Sequence, residues 1–339
     1  MKLCITGGGT GGHLMIADAL ALKALENGYE VIFIGSINGQ DKKYFEGISN
    51  FSNVYFLKTS GVVNQKSFAK VKALWNIFRA FLTSRNILKK HRIDATYSVG
   101  GFSAAAASFA TLSLKIPLFI HEQNAVEGRL NSLLKPYAKR FISAYDKDSP
   151  IKGYPVKDVF FRSQRVRESL KCIIFLGGSH GARAINELAL SVAKELQKRS
   201  IKIIHQAGES DYKRVKQEYK ELGVEAELYG FTKDLDKLIS RADLAVSRAG
   251  ASTLWELSAN GLPTLFVPYP YAASDHQFYN ASFIVKNELG WCQREGDDLR
   301  DKLLSIVGEP LEEKSKKLME YSIEGVADLM IKDIKETLK

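Results

Sequence analysis

Cysteine is scarce in this chain of 339 residues, and its scarcity excludes two kinds of protein. The three cysteines, Cys4, Cys172 and Cys292, are odd in number and lie far apart. This spacing fits neither a disulfide framework nor a cysteine-based zinc site, so we expect a protein of a reducing compartment.

Long hydrophobic runs are also missing. No stretch of about 18 strongly apolar residues occurs, as a membrane-spanning helix would require. The uncharged residues 95–114 come nearest, but they are rich in Ser, Ala and Gly and predict a strand, a loop and a helix. The chain starts with a short strand and a run of glycines, which is not the pattern of a signal peptide.

Acidic residues are absent between positions 47 and 93, where nine Lys and Arg occur. The whole chain carries a net charge of +10, which suggests an anionic partner. Aromatic and aliphatic residues in this region recur at helical spacing and predict a helix with one apolar and one basic face. Such a helix is typical of contact with an anionic membrane surface. The residues that we expect at this surface are Lys70, Leu74, Trp75, Phe78, Phe81 and Arg85.

Two other interpretations of this helix stay open. A core helix with a solvated basic face would show one apolar stripe, whereas Ile77 lies off the stripe. A nucleic-acid surface is less favoured, because aromatic residues at helical spacing do not form the stacking platform of a sheet.

What is abundant is glycine placed between strands and helices. Residues 3–6 predict a buried strand, residues 7–12 a glycine-rich loop, residues 14–26 a helix and residues 31–34 a second strand. Gly7, Gly9 and Gly12 match the dinucleotide pattern G-x-G-x-x-G. That pattern also requires an acid at the end of the second strand, where Gly35-Ser36 stands. The missing acid disfavours an NAD site.

The same unit recurs about 170 residues later, where residues 172–176 predict a strand and Gly177-Gly178-Ser179 begin a loop before another helix. Turn residues between 146 and 158 indicate a linker. We therefore predict an α/β fold with two Rossmann-like parallel-sheet domains facing each other across a cleft. Their predicted bounds are 1–153 and 154–339, with a charged helix over 312–339 that packs back on the first domain.

In the stretch 247–281, Gly250 interrupts the chain between a predicted strand and a predicted helix. It follows an apolar strand, and its helix is predicted to begin near Thr253. Thr253-x-x-Glu256 and Ser274-x-x-Gln277 both match capping boxes. Alternatively, Glu256 accepts hydrogen bonds from a sugar diol beside a helix N-terminus that favours anions.

Taken together, these motifs resemble the MurG family of bacterial glycosyltransferases over residues 3 to about 290. The matching segments are Gly7-Gly-Gly-Thr-Gly-Gly-His13, Gly100-Gly101, His121-Glu-Gln-Asn124, Gly177-Gly-Ser179 with Gly181-Ala-Arg, Ser247-Arg-Ala-Gly-Ala, and Gly261-Leu-Pro with Asn280-Ala281. The resemblance implies a GT-B fold and transfer of GlcNAc from UDP-GlcNAc to lipid I, with inversion. It also implies a peripheral protein at the cytoplasmic face of the plasma membrane. Its partners would be anionic inner-membrane lipids and other cell-wall synthesis proteins, and neither a cofactor nor a catalytic metal would be needed.

The resemblance also assigns the donor site. Glu256 would hold the ribose hydroxyls, and backbone near Phe231 and Thr232 would contact the uracil. The implied UDP-GlcNAc residues are Thr10, Gly11, Gly12, Asn124, Lys157, Ser179, Thr232, Ala251, Ser252, Thr253, Leu254, Trp255, Glu256 and Gln277. The chain departs from the family at Gly153-Tyr-Pro-Val-Lys157, where the family has Asn and Arg for Tyr and Lys, and at His276, where it has Gln.

On the acceptor side, Gly9, Gly100, Gly101 and Ser103 would face the lipid diphosphate. His13 is the expected general base, because a helix N-terminus disfavours the imidazolium and keeps the ring able to accept a proton. Glu122 is the second candidate, and His13 could instead only cap or pack. The pairs Asp146/Asp148 and Asp234/Asp236 match D-x-D, but we predict no metal site.

Three other functions remain as alternatives. They are another GT-B enzyme acting on UDP-GlcNAc (an epimerase or a transferase with a different acceptor), an NAD-dependent oxidoreductase, and a non-catalytic membrane- or nucleic-acid-binding protein. The last explains the charge but not two glycine-loop domains.

Overall fold

The computed structural model describes residues 1–47, 50–59, 67–178 and 181–339, without the side chains of residues 67–72. Strands and helices alternate along the chain. Its first elements are β1 (Lys2–Thr6), α1 (Gly11–Glu26), β2 (Glu30–Ser36), α2 (Asp41–Phe45), β3 (Asn53–Leu57), α3 (Ser67–His91), β4 (Ala95–Ser98), α4 (Ala105–Ser113), β5 (Leu118–Glu122), α5 (Arg129–Leu134) and β6 (Arg140–Ser143). Then come α6 (Asp158–Arg162), β7 (Cys172–Leu176), α7 (Arg183–Lys198), β8 (Lys202–Gln206), α8 (Tyr212–Leu222), β9 (Glu227–Tyr229), α9 (Leu235–Arg241), β10 (Leu244–Ser247), α10 (Ala251–Ala259), β11 (Thr264–Phe266), α11 (His276–Lys286), β12 (Trp291–Cys292), α12 (Leu299–Ile306), α13 (Glu312–Tyr321) and α14 (Val326–Thr337).

The chain divides into two compact units. The first contains Met1–Val156 and Gly325–Lys339, and the second contains Lys157–Glu324. The division falls three residues after the boundary predicted from the sequence. Within the first unit α14 packs on α1, where the Asn27 side chain donates a hydrogen bond of 2.9 Å to Asp328.

The single helix predicted over residues 312–339 is wrong. Two helices, α13 and α14, occupy this region, and they belong to different units. Residues 322–325 separate the two helices. Gly325 adopts a φ of +76° there, which glycine reaches without strain.

The first unit is built on a six-stranded parallel sheet in the order β3-β2-β1-β4-β5-β6. Strands β1 and β2 carry continuous apolar runs, as expected where helices cover both faces of a parallel sheet. Leu3, Cys4 and Ile5 of β1 are fully buried. The strand order reverses between β1 and β4, so the loops that follow these strands flank the point where doubly wound folds bind ligands.

The second unit repeats this plan. Its six parallel strands run β12-β11-β10-β7-β8-β9, and the order reverses between β7 and β10. The amphipathic helix α7 covers the sheet with the buried side chains Ile185, Leu188, Ala189, Val192 and Leu196. The prediction of two Rossmann-like parallel sheets is confirmed.

Candidate active site

Two glycine loops meet at the switch point of the first unit. The Gly8 N–H donates to the Gly100 carbonyl over 3.1 Å. A Cβ atom on Gly101 would lie 2.2 Å from the Gly8 carbonyl oxygen, and Gly101 has a φ of +80°. The loops after β1 and β4 therefore approach each other closely enough to exclude side chains.

His13 lies in the first turn of α1, since the helix begins at Gly11, three residues earlier than predicted. The hydroxyl of Thr10 lies 2.8 Å from Nδ1 of His13 and makes no cap bond to the helix. The Gln123 amide nitrogen lies 3.0 Å from Nε2 and 3.3 Å from Nδ1. One atom cannot lie in line with both diverging lone pairs, so this amide lies over the imidazole face. Nε2 faces Gly100, where a Cβ atom would be 3.4 Å away.

Glu122 at the end of β5 is buried and fully engaged with its own loop. One carboxylate oxygen accepts the Asn124 N–H (3.0 Å), and the other accepts the Gly128 N–H (2.8 Å) and the Asn131 amide (2.9 Å). Burial raises the pKa of the Glu122 carboxyl, against these hydrogen bonds. These donors hold the Glu122 carboxylate within its own loop, and the choice of His13 over Glu122 as the base stays a prediction.

Asp41 is a residue that the sequence reasoning missed. Its fully buried carboxylate accepts the Gly9 N–H over 2.5 Å and the Ser36 N–H over 2.8 Å. The Gly9 N–H is thus donated within the unit, and the contact of Gly9 with an acceptor diphosphate stays a prediction.

Several buried polar atoms around these loops have no hydrogen-bond partner within the described residues. They include Oγ of Ser103 and both ring nitrogens of His121, whose pKa is lowered to about 3 by burial. Such atoms are rare in folded proteins and mark places where water or a ligand group is expected.

In the second unit, the helix that follows β10 begins earlier than predicted. Helix α10 starts at Ala251 with Gly250 as its N-cap and has no side-chain cap. Thr253 is therefore inside the helix, and the Thr253-x-x-Glu256 capping box is wrong. The Ser274-x-x-Gln277 capping box is wrong as well, because α11 starts at His276.

Glu256 lies on α10 with only 4% of its surface exposed. Burial raises the pKa of its carboxyl to about 7, and the positive charge of Lys157 acts in the opposite direction. A buried carboxylate that is not a helix cap and has a strongly shifted pKa is a candidate binding group.

The segment 251–256 does not present all of its side chains. Leu254 and Trp255 are buried, and the Trp255 ring lies 6.1 Å from that of Phe283. Their predicted contact with the donor cannot come from these side chains, which belong to the core. Ala251, Ser252 and Thr253 form the first turn of α10, the end that favours an anion.

The loop after β11 is fixed at two points. Gln277 accepts the Tyr269 N–H over 2.9 Å, which leaves its amide N–H groups as donors. Arg248, which the sequence reasoning did not single out, donates to the carbonyls of Val267 and Pro268 and pairs with Glu295 at 2.6 Å. The position of Arg248 directly after β10 could have identified it from the sequence, because ligands bind at the carboxyl ends of such strands.

Other predicted donor residues lie on neighbouring loops. The Gly177 N–H donates to the Gln206 carbonyl over 2.9 Å, and this places the loop after β7 beside β8. Ser179 lies outside the described residues. Thr232 follows β9, where its hydroxyl accepts the Asp234 N–H over 3.0 Å.

Helix α3 carries an exposed apolar surface. Leu74, Trp75, Phe78 and Leu82 are about half exposed, while Ala73, Ala80, Ile87 and Leu88 are buried. Phe81 is only partly exposed and packs against the core. Arg85 donates to Ser113 of α4. The side chain of Lys70 is outside the described residues.

The described residues contain neither a membrane-spanning helix nor a metal-ligating cluster. No helix in that part of the chain is both long and apolar enough to cross a membrane. No group of three or more His, Cys, Asp and Glu side chains there is arranged to hold a metal ion.

Two doubly wound units with glycine loops at both switch points define the GT-B class of glycosyltransferase fold. The models of the glycosyltransferase family 28 N-terminal and C-terminal domains match residues 3–143 and 172–337. The chain therefore belongs to glycosyltransferase family 28, and within it to the MurG family.

Its relatives support this membership. A protein of Sulfurimonas denitrificans is 69% identical over 98% of both chains, and one of Sulfurovum is 54% identical over 97% of this chain and 98% of its own. Both are named UDP-N-acetylglucosamine--N-acetylmuramyl-(pentapeptide) pyrophosphoryl-undecaprenol N-acetylglucosamine transferase. The crystal structure of Acinetobacter baumannii MurG has a TM-score of 0.81 at 24% identity over 99% of both chains, which supports the fold.

Proposed function

We propose that this protein transfers GlcNAc from UDP-GlcNAc to the MurNAc of lipid I, forming lipid II and UDP for peptidoglycan synthesis. The observation that carries the proposal is the 69% identity, over 98% of both chains, to a relative with the matching name. Identity at this level extends through both units and includes the acceptor side as well as the donor side.

The second unit supplies the donor site in this proposal. The ribose hydroxyls donate to the buried Glu256 carboxylate, and the N-terminal turn of α10 and the loop after β7 face the diphosphate. Gln277, whose oxygen is held by Tyr269, offers its amide N–H groups to the sugar. Backbone N–H groups and helix dipoles stabilise the negative charge that develops on UDP as it leaves.

The first unit supplies the general base. When Nδ1–H of His13 donates to Thr10, the Nε2 lone pair is directed to the Gly100 side. Nε2 takes the proton of the MurNAc 4-hydroxyl as that oxygen attacks the anomeric carbon. The bond from this carbon to UDP breaks, UDP leaves with the electron pair, and the configuration inverts.

The function is tested by measuring UDP release from UDP-GlcNAc, with and without a soluble lipid I analogue, in excess EDTA. Release that depends on the acceptor and persists in EDTA is the expected result. Tight donor binding without release would indicate a different acceptor, and no donor binding would reject the transferase.

The exposed face of α3 is proposed to seat the protein on the anionic cytoplasmic leaflet, where the acceptor lipid resides. Four half-exposed apolar side chains beside Arg79, Lys89 and Lys90 suit a headgroup region. Replacing Trp75 and Phe78 by Ser should weaken binding to anionic vesicles at least tenfold. Leu329→Gln changes an equally exposed apolar residue on α14 and serves as the control. Unchanged vesicle binding in the double variant would reject this surface.

A further inference from the structure

The side chain of Gln123 lies against His13, the proposed general base. Gln123 directly follows β5, and only 7% of its surface is exposed. Its amide nitrogen lies 3.0 Å from Nε2 and 3.3 Å from Nδ1 of His13. An atom in the ring plane at these two distances would collide with Cε1, which lies between the two nitrogens. The amide therefore covers one face of the imidazole.

Two other groups bound the same ring. The Thr10 hydroxyl lies 2.8 Å from Nδ1, and a Cβ atom on Gly100 would lie 3.4 Å from Nε2. Rotation of the ring by half a turn about its Cβ–Cγ bond would place carbon atoms where Thr10 and the amide now meet nitrogens. The Thr10 hydroxyl and the Gln123 amide thus both favour the orientation in which Nε2 faces the loop after β4.

The two ends of the Gln123 amide have different surroundings. Oε1 is buried and has no hydrogen-bond partner within the described residues, and such an atom calls for an explanation. Exchanging the ends of the amide would place the oxygen over the ring, whose face is negative and repels it. An N–H group over that face forms a weak hydrogen bond instead. The contact with His13 therefore determines the orientation of this amide.

The backbone around Gln123 is fixed by the residue that precedes it. The Glu122 carboxylate accepts the Asn124 N–H over 3.0 Å and the Gly128 N–H over 2.8 Å. It also accepts the Asn131 amide over 2.9 Å. Both sides of Gln123 are thereby tied to one buried carboxylate. A side chain that starts from a fixed backbone can hold a neighbouring ring in place.

We propose that Gln123 is a positioning residue for the transfer: its amide holds the His13 ring with Nε2 towards the loop after β4. Because the amide covers the face of the ring, the in-plane lone pair of Nε2 stays available to the acceptor hydroxyl. The proposal rests on the function above, in which His13 is the general base. A rotated ring presents a C–H group in place of this lone pair, so loss of the contact lowers turnover without weakening the donor.

The test is a double-mutant cycle of Gln123→Met and His13→Ala, measured as acceptor-dependent UDP release. Met keeps the length of the side chain but has no N–H. Gln123→Met should lower kcat roughly 10- to 100-fold, with the KM for UDP-GlcNAc and the calorimetric Kd of UDP unchanged. In the His13→Ala background it should have no further effect. Losses of equal size in both backgrounds would overturn the proposal, since Gln123 would then act without His13.

A spectroscopic measurement tests the contact without relying on turnover. In protein labelled with ¹⁵N at histidine, two-bond ¹H–¹⁵N correlations show which ring nitrogen carries the proton, and His13→Ala identifies the His13 signals. The unchanged protein should show mainly the Nδ1–H form, and Gln123→Met should show a mixture. Unchanged His13 signals in Gln123→Met would overturn the proposal.

Gln197→Met is the matched control. Gln197 donates its amide N–H to the Gly223 carbonyl over 3.2 Å in the second unit, and its replacement should leave turnover unchanged. Gln123→Asn is the second test variant, because it keeps the amide but withdraws it from the ring by one methylene. It should show the same loss as Gln123→Met, and full turnover would overturn the proposal. Thermal melting of each variant identifies any loss that comes from unfolding.

Failure of this proposal differs from failure of the function on which it rests. No acceptor-dependent UDP release by the unchanged protein would reject the function. Normal turnover in His13→Ala would reject the base and, with it, the role of Gln123. A large loss in His13→Ala with normal turnover in Gln123→Met would reject only the role of Gln123.

Discussion

The two units have the same strand order but differ in net charge. The first unit has 23 Lys and Arg against 13 Asp and Glu, and the second has 25 of each. The whole excess of +10 therefore resides in the first unit, which also carries the exposed face of α3. One backbone plan supports two kinds of surface because the sheet is determined by buried residues and the charge by exposed ones.

The glycine loops after β1 and β7 differ in the same way. The loop of the first unit holds a buried carboxylate, Asp41, on the Gly9 N–H, whereas in the second unit the Gly177 N–H meets the neutral Gln206 carbonyl. A fixed negative charge opposes an anion at that N–H, so equivalent loops need not bind equivalent ligands. This contrast agrees with a nucleotide site in the second unit.

Replacing His13 by Ala should have the largest effect and should separate the units most clearly. Loss of a general base costs about 10²- to 10⁴-fold in turnover, while UDP affinity, a property of the second unit, should stay unchanged. Acceptor-dependent UDP release and calorimetric UDP binding measure the two quantities. His91→Ala, in the same unit, is the control. Near-normal turnover with bound donor would remove His13 from the mechanism.

Glycine substitutions in the two loops should differ sharply. Gly101→Ala forces a Cβ atom to 2.2 Å from a backbone oxygen at a φ of +80°, so we expect destabilisation of about 3 kcal/mol or more. Gly178 has a φ of +72° but no described atom within 4 Å of its added Cβ. Gly178→Ala should therefore cost only about 1 kcal/mol. Urea unfolding curves provide the comparison, and equal losses would contradict it.

Glu256→Gln should stabilise the free protein while it abolishes donor binding. The carboxyl has a folded-state pKa of about 7 against 4.5 unperturbed, so its favourable contribution is complete below pH 4.5 and is lost as the pH rises through 7. At pH 8 the substitution should add up to about 3 kcal/mol to the free energy of unfolding, and little at pH 4. Thermal melting at both pH values measures this difference. The exposed Glu288→Gln should give no such gain, and a loss at pH 8 in Glu256→Gln would refute the desolvation argument.

The smallest expected effect tests the uneven distribution of charge between the two units. Replacing Lys89 and Lys90 by Gln should weaken binding to anionic vesicles roughly tenfold at low salt, and the difference should shrink as salt is added. The same change at Lys213 and Lys216, exposed on α8 of the second unit, should have little effect. Equal losses for the two pairs would show that total charge matters and its location does not.

Much of this architecture could be read from the sequence. Apolar runs followed by glycine loops predict parallel strands and helices, because burial on both faces leaves a continuous apolar pattern. The ends of the helices were harder to predict from the sequence. Neither Gly250 nor Thr10 caps its helix through a side chain, and the capping pattern at Thr253 was therefore misleading.

The sequence by itself determined the two Rossmann-like units, the glycine loops and the family, because these follow from local periodicity and from motifs in a fixed order. Only the tertiary structure decided which polar groups act together. Asp41 accepts the Gly9 N–H, and the Gln123 amide lies over the His13 ring. These two hydrogen bonds join residues that are 32 and 110 positions apart in the sequence. The burial that raises the pKa of the Glu256 carboxyl likewise exists only once the core has formed.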